Sequence, residues 1–115
     1  MRKELRLKPA QLFKKVYKEG KSIAAREAVL CFLYLGPGLP TRAGFSISKK
    51  VGNAVTRNRI KRRLKSVVET AGQGLRSGYV LVIIGRPPAA HSSFAELRNS
   101  VRLLLRRAQI LEGDQ

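Results

Sequence analysis

Residues Thr41 to Ala71, TRAGFSISKKVGNAVTRNRIKRRLKSVVETA, carry the clearest structural signals in the chain. Apolar and small polar residues alternate from Thr41 to Ser48, which predicts a strand with one face in a core. Gly52 and Asn53 break this alternation, and either Asn53 or Thr56 is placed to cap a helix. The helix that follows has one predicted apolar arc: Ile60, Leu64, Val67, Val68 and Ala71. A helical wheel places a cationic outer face on the opposite side: Asn58, Arg59, Arg62, Lys65 and Ser66. A strand followed by an amphipathic helix indicates a fold that combines both elements.

The residues before this stretch predict a helix and further strand structure. The helix runs from about Pro9 to Glu19, because Pro9 suits a first helical turn and Gly20 suits an end. Strand-forming residues then continue from Ile23 to Leu35, either as one strand or divided into two. A turn rich in Gly and Pro separates them from the alternating segment.

The residues after this stretch predict one more strand and one more helix. Tyr79 to Ile84 is the strongest buried-strand signal in the sequence. A proline-bearing loop from Gly85 to Ala90 follows, and Ser92 or Ser93 begins the last helix. Ser93 and Glu96 fit a capping box. The 115 residues suit a single domain, 1–115, in which the elements follow the order αβββαβα.

The chain is strongly basic, with 24 Lys and Arg against seven Asp and Glu and a net charge of +17. Eight of these cations fall within residues 49–65, and no acid follows until Glu69. Like charges one turn apart destabilise an isolated helix, so this segment predicts a polyanionic partner that neutralises them. A membrane surface fits less well, because the helix has no Trp or Phe beside its basic face.

RNA suits the surroundings of the basic segment better than duplex DNA does. The sequence has neither helix-turn-helix spacing nor a set of zinc ligands. A strand with a small polar face, at Gly44 and Ser46, is predicted beside a helix that carries Phe13 and Tyr17. Aromatic rings next to basic residues can stack the bases of a single strand. Core packing of both rings is the alternative, and the pattern alone favours it.

Few residues are available for catalysis by the protein itself. The seven acids are scattered, and the chain has one His and one Cys. A protein nuclease usually needs clustered carboxylates for metal ions or a pair of His residues. We therefore expect no catalytic residue and no metal site in the protein, and His91 is expected in a surface loop. A single Cys excludes an internal disulfide and, with no apolar signal region, predicts a soluble cytoplasmic protein.

The segment Gly44 to Arg62, centred on Arg57-Asn58-Arg59, resembles the signature of the bacterial ribonuclease P protein component. The last Leu-rich helix fits the same family, and so do these positions of the first helix: Leu7, Phe13, Val16, Tyr17 and Gly20. The resemblance therefore covers nearly the whole chain. It implies an α+β sandwich of order αβββαβα, with a four-stranded mixed sheet and a left-handed βαβ crossover. General topology rules predict a right-handed crossover.

The resemblance also implies a function. Proteins of this family are accessory subunits of an endoribonuclease, a ribonucleoprotein whose RNA removes the 5′ leader of precursor tRNA using Mg²⁺. The implied partners are the catalytic RNA and precursor tRNA. We also expect no membrane partner and a protein that is monomeric apart from RNA. The residues implied to contact the catalytic RNA are Lys49, Lys50, Arg57, Asn58, Arg59, Lys61 and Arg62. Those implied to line the cleft for the leader are Phe13, Tyr17, Cys31 and Ser46.

Cys31 departs from the family pattern, in which an aromatic residue often occupies this strand position. Strand alternation places Phe32 and Tyr34 on the opposite face, so one stacking partner for the leader is predicted to be missing. Two other functions stay open from the sequence. A structural RNA-binding protein or RNA chaperone would share the charge and the groove, although the strand leading into Arg57 argues against it. A protein-only nuclease would cleave without added RNA.

Overall fold

The computed structural model describes residues 10–112, which form four strands and three α-helices. In chain order these are α1 (Ala10–Glu19), β1 (Lys21–Ala24), β2 (Ala28–Tyr34), β3 (Arg42–Ile47), α2 (Ala54–Ala71), β4 (Tyr79–Gly85) and α3 (Phe94–Arg107). The predicted order αβββαβα is confirmed. The strand segment predicted from Ile23 to Leu35 is divided into two strands, and the first already begins at Lys21. Leu7 and Pro9, which were predicted to belong to the first helix and its start, lie outside the described residues.

The strands form one mixed sheet in the order β1-β2-β4-β3. β2 pairs antiparallel with both β1 and β4, whereas β3 and β4 run parallel. Since α2 connects the two parallel strands, this unit is the βαβ crossover that the resemblance implies, and its hand stays a prediction. Nowhere in residues 10–112 is there a helix with the length and apolar character needed to cross a membrane.

The two faces of the sheet are covered by different helices. α2 and α3 pack on one face, where the predicted apolar arc of α2 is fully buried. On the opposite face α1 contacts β2 and β4 and packs Val16 into a smaller core with Cys31, Val80 and Val82. α1 therefore lies over the two central strands, and the edge strand β3 follows next to β4 on the same sheet.

Short polar contacts fix where the helices begin. The Asn53 side chain accepts a hydrogen bond from the Thr56 backbone N–H at 2.9 Å, so Asn53 is the residue that caps α2. The predicted capping box at α3 is confirmed, with Ser93 and Glu96 bonded to each other's backbone N–H. Each bond satisfies a backbone donor that the first turn of a helix leaves without a partner.

The predicted loop from Gly85 to Ala90 is wrong in its detail. Gly85 is the last residue of β4, and Pro87–His91 form a short 3₁₀ helix. Prolines at the first two helical positions explain the difference, because those positions need no N–H donor and proline already has a helical φ. His91 is exposed at the end of this helix, as predicted.

Gly20 sets the position of α1 on the sheet. Its N–H donates to the Val16 carbonyl at 2.8 Å and ends the helix. A Cβ at this position would lie 2.5 Å from the Phe32 carbonyl oxygen and 2.6 Å from the Val16 carbonyl oxygen. Both atoms belong to backbone that the sheet and the helix hold in place, so glycine permits an approach between α1 and β2 that no larger residue allows.

Candidate nucleic-acid interface

The basic segment begins in a short 3₁₀ helix between β3 and α2, Lys49–Val51. The Ser48 hydroxyl accepts a hydrogen bond from the Lys50 backbone N–H at 3.1 Å and so caps this turn. Val51 is buried, whereas Lys49 and Lys50 are both exposed. The two lysines therefore lie on the surface directly before the N-terminus of α2, where the helix dipole adds positive potential.

The three residues Arg57-Asn58-Arg59 point in different directions. Consecutive helical residues are about 100° apart, so the two arginines project from nearly opposite sides of α2. Arg57 lies one turn before the buried Ile60 and is half-buried, while Asn58 between the two arginines is exposed. The Arg57 Nε is enclosed and has no hydrogen-bond partner within residues 10–112.

Arg59 differs from its prediction as a residue of the outer helix face. It is half-buried, and its Nη2 donates to the Ala90 carbonyl oxygen at 3.0 Å. One turn later, Arg63 Nη1 donates to the Ser92 carbonyl oxygen at 3.3 Å. Both side chains therefore tie α2 to the segment that leads into α3. Sequence reasoning did not select Arg63, although its spacing of four residues from Arg59 places it on the same side of the helix.

Lys61 and Arg62 are exposed, as predicted, and lie within the same two turns of α2. Asn58 and Arg62 are four residues apart and therefore neighbours on the helix surface. The structure thus gathers the predicted RNA-contacting residues around the first half of α2, although not on one face. We call this set the α2 basic surface: Lys49, Lys50, Arg57, Asn58, Arg59, Lys61 and Arg62.

The predicted cleft residues lie on the opposite face of the sheet. The register aligns Cys31 of β2 with Val82 of β4 and Val82 with Gly44 of β3, so all three occupy one row across the sheet. Ser46 occupies the next row, opposite Ile84. These residues therefore lie on the face of the sheet that α1 covers in part, and we call the surface that they form with α1 the α1–β3 groove.

Phe13 and Tyr17 form the α1 wall of this groove. Their ring centroids are 6.4 Å apart, with the planes tilted by 36°. Phe13 is half-buried against the smaller core, so the expectation of core packing holds for this ring. Tyr17 is 50% exposed, which makes core packing wrong for the second ring. An aromatic ring held on one side and open on the other can stack an unpaired base.

Cys31 lies deeper in the groove than the other predicted residues, with 7% of its surface exposed. Burial raises the pKa of its thiol. Burial and then the neighbouring Cys31 raise the pKa of the Tyr17 phenol. Both groups are therefore neutral at pH 7, so neither would repel a phosphate. The predicted alternation is confirmed, since Phe32 and Tyr34 lie on the other face, each beside Tyr79.

Comparisons with known proteins agree with this geometry. The family model for ribonuclease P matches residues 1–109. The ribonuclease P protein component of Symbiobacterium thermophilum is 44% identical over 114 residues, which are 99% of each chain. The corresponding protein of Caldanaerobacter subterraneus is 40% identical over 97% of each chain.

Solved structures of this family share the fold. The RNase P protein of Staphylococcus aureus superposes with a TM-score of 0.84 at 30% identity, covering 93% of this chain and 97% of that chain. The RNase P protein of Thermotoga maritima gives 0.80 at 28% identity, covering 94% and 98%. The resemblance recognised in the Gly44 to Arg62 segment is thereby confirmed across the chain. The chain belongs to the bacterial ribonuclease P protein family, whose members are subunits of a tRNA-processing ribonucleoprotein.

Proposed function

We propose that this protein binds the catalytic RNA of ribonuclease P through the α2 basic surface and the 5′ leader of precursor tRNA in the α1–β3 groove. The main observation in support of this proposal is that the sheet separates the α2 basic surface from the α1–β3 groove. α2 packs on one face, and α1 with its groove lies on the other. One small protein can therefore hold two RNA segments at once without competition between them.

The α2 basic surface suits a folded RNA with closely spaced phosphates. Arg57 and Arg59 each have an Nε enclosed by protein, and Arg59 also donates to the Ala90 carbonyl, so both side chains have restricted freedom before any RNA binds. A side chain that is already ordered loses less conformational entropy on binding. Exposed neighbours such as Arg62 add charge that attracts RNA from a distance, and affinity should therefore fall steeply with salt.

The α1–β3 groove suits a single strand. Its floor presents small groups at Gly44 and Ser46, and its wall presents the half-open ring of Tyr17. Unpaired bases can stack on such a ring, and the Ser46 hydroxyl can bond to a phosphate or sugar oxygen. Paired bases of a duplex have no free face to offer the ring. Leader binding here would favour precursor over mature tRNA.

Catalysis is proposed to reside in the RNA subunit, with Mg²⁺ bound there as its cofactor. Three of the carboxylates in residues 10–112 take part in structural contacts. Glu27 is buried and accepts a hydrogen bond from Ser100, Glu96 belongs to the α3 capping box, and Glu112 pairs with Arg76 at 3.5 Å. Carboxylates engaged in this way support an accessory role for the protein, in the cytoplasm where precursor tRNA is made.

The test is cleavage of a precursor tRNA at low Mg²⁺ by the protein alone, by a bacterial catalytic RNA alone, and by both together. We expect efficient cleavage at the mature 5′ end with both subunits. Cleavage by the protein alone would establish a protein-only nuclease. If the protein does not stimulate a catalytic RNA that is shown to be folded, the structural RNA-binding alternative would replace this proposal.

A further inference from the structure

A row of arginines runs along α3 on a side of the helix that the proposed function leaves unused. Arg98, Arg102 and Arg106 are spaced by four residues and therefore lie on neighbouring turns, about 12 Å from first to last. Together with Asn99 of α3 and Thr70 of α2, they line one open groove between the two helices. We call these three arginines the α3 arginine row.

This row is costly for an isolated helix. Like charges at i and i+4 repel each other, and Arg98 and Arg102 form such a pair. The N-terminal acid of α3, Glu96, accepts hydrogen bonds within the capping box and lies on a different side of the helix. A polyanion bound beside Arg98 and Arg102 would relieve this repulsion.

The chemistry of the row points to phosphate groups. All four basic residues within α3 are arginines, whereas the basic residues of α1 are all lysines, namely Lys14, Lys15 and Lys18. Arginine presents a planar fork of donors that can hold a phosphate through two parallel hydrogen bonds, whereas lysine acts as a point charge. The Arg98 guanidinium also lies 6.0 Å from the centre of the Phe94 ring, a cation–π distance that restricts its position.

The row continues a series of arginines along the junction of α2 and α3. Arg59 and Arg63 bond to the carbonyls of Ala90 and Ser92, directly before α3 begins. Thr70, further along the same side of α2, lies beside the α3 arginine row. The positive charge therefore extends from the α2 basic surface along the helix junction, on the face of the sheet opposite the α1–β3 groove.

We propose that the α3 arginine row is a further RNA-binding surface that holds the phosphate backbone of a double-helical segment. The inference goes beyond the two surfaces described above and needs neither of them. A duplex is the favoured occupant because the groove offers guanidinium, amide and hydroxyl groups but no open aromatic ring, since Phe94 is half-buried beside Arg98. Double-stranded RNA is recognised largely through its phosphates, its 2′-hydroxyls and its shape.

The test measures binding of a short RNA duplex without single-stranded ends, using the full chain without catalytic RNA. The variant is R98Q/R102Q, and its matched control is K14Q/K18Q. The control removes the same charge at the same four-residue spacing, from exposed positions on the opposite face of the sheet. Fluorescence anisotropy at several salt concentrations gives the affinity and its salt dependence.

We expect R98Q/R102Q to weaken duplex binding about tenfold at moderate salt. The slope of log K against log salt should fall in magnitude by about two. The control K14Q/K18Q should change the affinity and the slope far less. An equal loss of duplex affinity in the two variants would show that only net charge matters, and it would overturn the proposal. Unchanged duplex affinity in both variants would overturn it as well. If R98Q/R102Q melts at a lower temperature because Arg98 leaves Phe94, R102Q alone should reduce the slope by about one.

This experiment separates the inference from the proposed function. Duplex binding is measured without precursor tRNA or catalytic RNA, whereas the proposed function is tested by stimulated cleavage. If stimulated cleavage is present but R98Q/R102Q binds duplex as the wild type does, the α3 arginine row is wrong and the proposed function stands. If the duplex effect is present but cleavage is not stimulated, the opposite holds.

Discussion

The Arg59 Nη2 donates a hydrogen bond to the carbonyl oxygen of Ala90 at 3.0 Å, across 31 residues of chain. This contact joins the middle of the basic segment to the 3₁₀ helix that precedes α3. Arg59 therefore has a structural role as well as the role proposed for it in RNA binding. The two roles can be separated experimentally, because Arg62 in the same surface is exposed.

Replacing Arg59 with alanine should lower both RNA affinity and protein stability. The lost hydrogen bond comes from a charged donor that is half-buried, and its removal leaves the Ala90 carbonyl without that partner. We expect the free energy of unfolding to fall by about 1–2 kcal/mol. Urea denaturation measures this change, and filter binding to the catalytic RNA measures the affinity.

The matched variant is Arg62→Ala, which removes the same charge from the same helix. Its stability should stay within about 0.5 kcal/mol of the wild type, as is usual for exposed positions, while its RNA affinity falls. Equal stability of the two variants would show that the contact between Arg59 and Ala90 contributes nothing to folding. Unchanged RNA affinity in both would remove them from the proposed interface.

Gly20→Ala should disturb the groove from a distance. The new Cβ would meet the carbonyl oxygens of Phe32 and Val16, so α1 must move away from β2. We expect a loss of more than about 1 kcal/mol in stability, since overpacking typically costs about 1–3 kcal/mol. Because Tyr17 is carried by α1, binding of a single-stranded leader oligonucleotide should weaken as well. Chemical denaturation and oligonucleotide titration provide the two readouts.

Ser22→Ala is the control for this change. Ser22 is exposed on β1, opposite Cys31, and its replacement should alter stability by less than about 0.5 kcal/mol. If Gly20→Ala is as stable as this control, the close approach between α1 and β2 is not required. If Gly20→Ala loses stability but keeps full leader affinity, the position of α1 does not determine binding in the groove.

Tyr17→Ala and Tyr17→Phe test stacking in the groove. Removal of an aromatic ring that stacks a base costs about 1–3 kcal/mol, so Tyr17→Ala should weaken holoenzyme binding to precursor tRNA by about 5- to 150-fold. Tyr17→Phe keeps the ring and should retain most of the affinity. Binding to mature tRNA, which has no leader, should change little in either variant.

The stacking role of Tyr17 would be contradicted if Tyr17→Ala lost the same amount of binding affinity for precursor tRNA and for mature tRNA. In that case the ring contacts the body of the tRNA or supports the fold. Assembly with the catalytic RNA should survive both Tyr17 variants, because the α2 basic surface lies on the opposite face of the sheet. If assembly falls together with precursor affinity, the two surfaces are not independent.

Local periodicity explains why much of the fold could be predicted from sequence. The Asn53 cap and the buried residues Ile60 and Leu64 depend on neighbours within a few positions, and the structure confirms them. The partner of Arg59 could not be found in this way, because Ala90 is distant in the chain and its carbonyl is exposed to α2 only after both segments pack on the sheet. A helical wheel therefore assigned Arg59 to the open face.

The same limit applies to the groove and the α3 helix. The pattern placed Phe13 and Tyr17 on one helix and favoured core packing for both, but the positions of the strands beneath α1 decide which ring is covered. Strand register is set by pairing across the sheet, which the sequence of one strand does not reveal. The arginines of α3 are visible as a four-residue repeat, although the groove that they line appears only when Thr70 of α2 is brought beside them.

The α3 capping box should make stability depend on pH through Glu96. Hydrogen bonds from the Ser93 backbone and side chain lower the pKa of the Glu96 carboxyl, with a smaller contribution from Arg26. A carboxyl whose pKa is lower in the folded state contributes stability that is present above its unfolded pKa, about 4.3, and is lost as pH falls through the folded value. Glu96→Gln should therefore cost stability at pH 7 and progressively less at acid pH.

Urea denaturation of the wild type and Glu96→Gln at several pH values between 7 and 3 measures this difference directly. Ser93→Ala is the companion variant. It removes the hydroxyl that caps the helix and should cost about 1 kcal/mol at pH 7. It should flatten the dependence on pH only in part, because alanine keeps the backbone N–H that is the largest cause of the lowered Glu96 pKa and removes only the contribution of the Ser93 side chain. A difference between wild type and Glu96→Gln that stays constant from pH 7 to pH 3 would contradict the role of the ionised carboxyl. The capping bonds would then contribute through geometry alone, because glutamine can accept the same hydrogen bond from the Ser93 N–H.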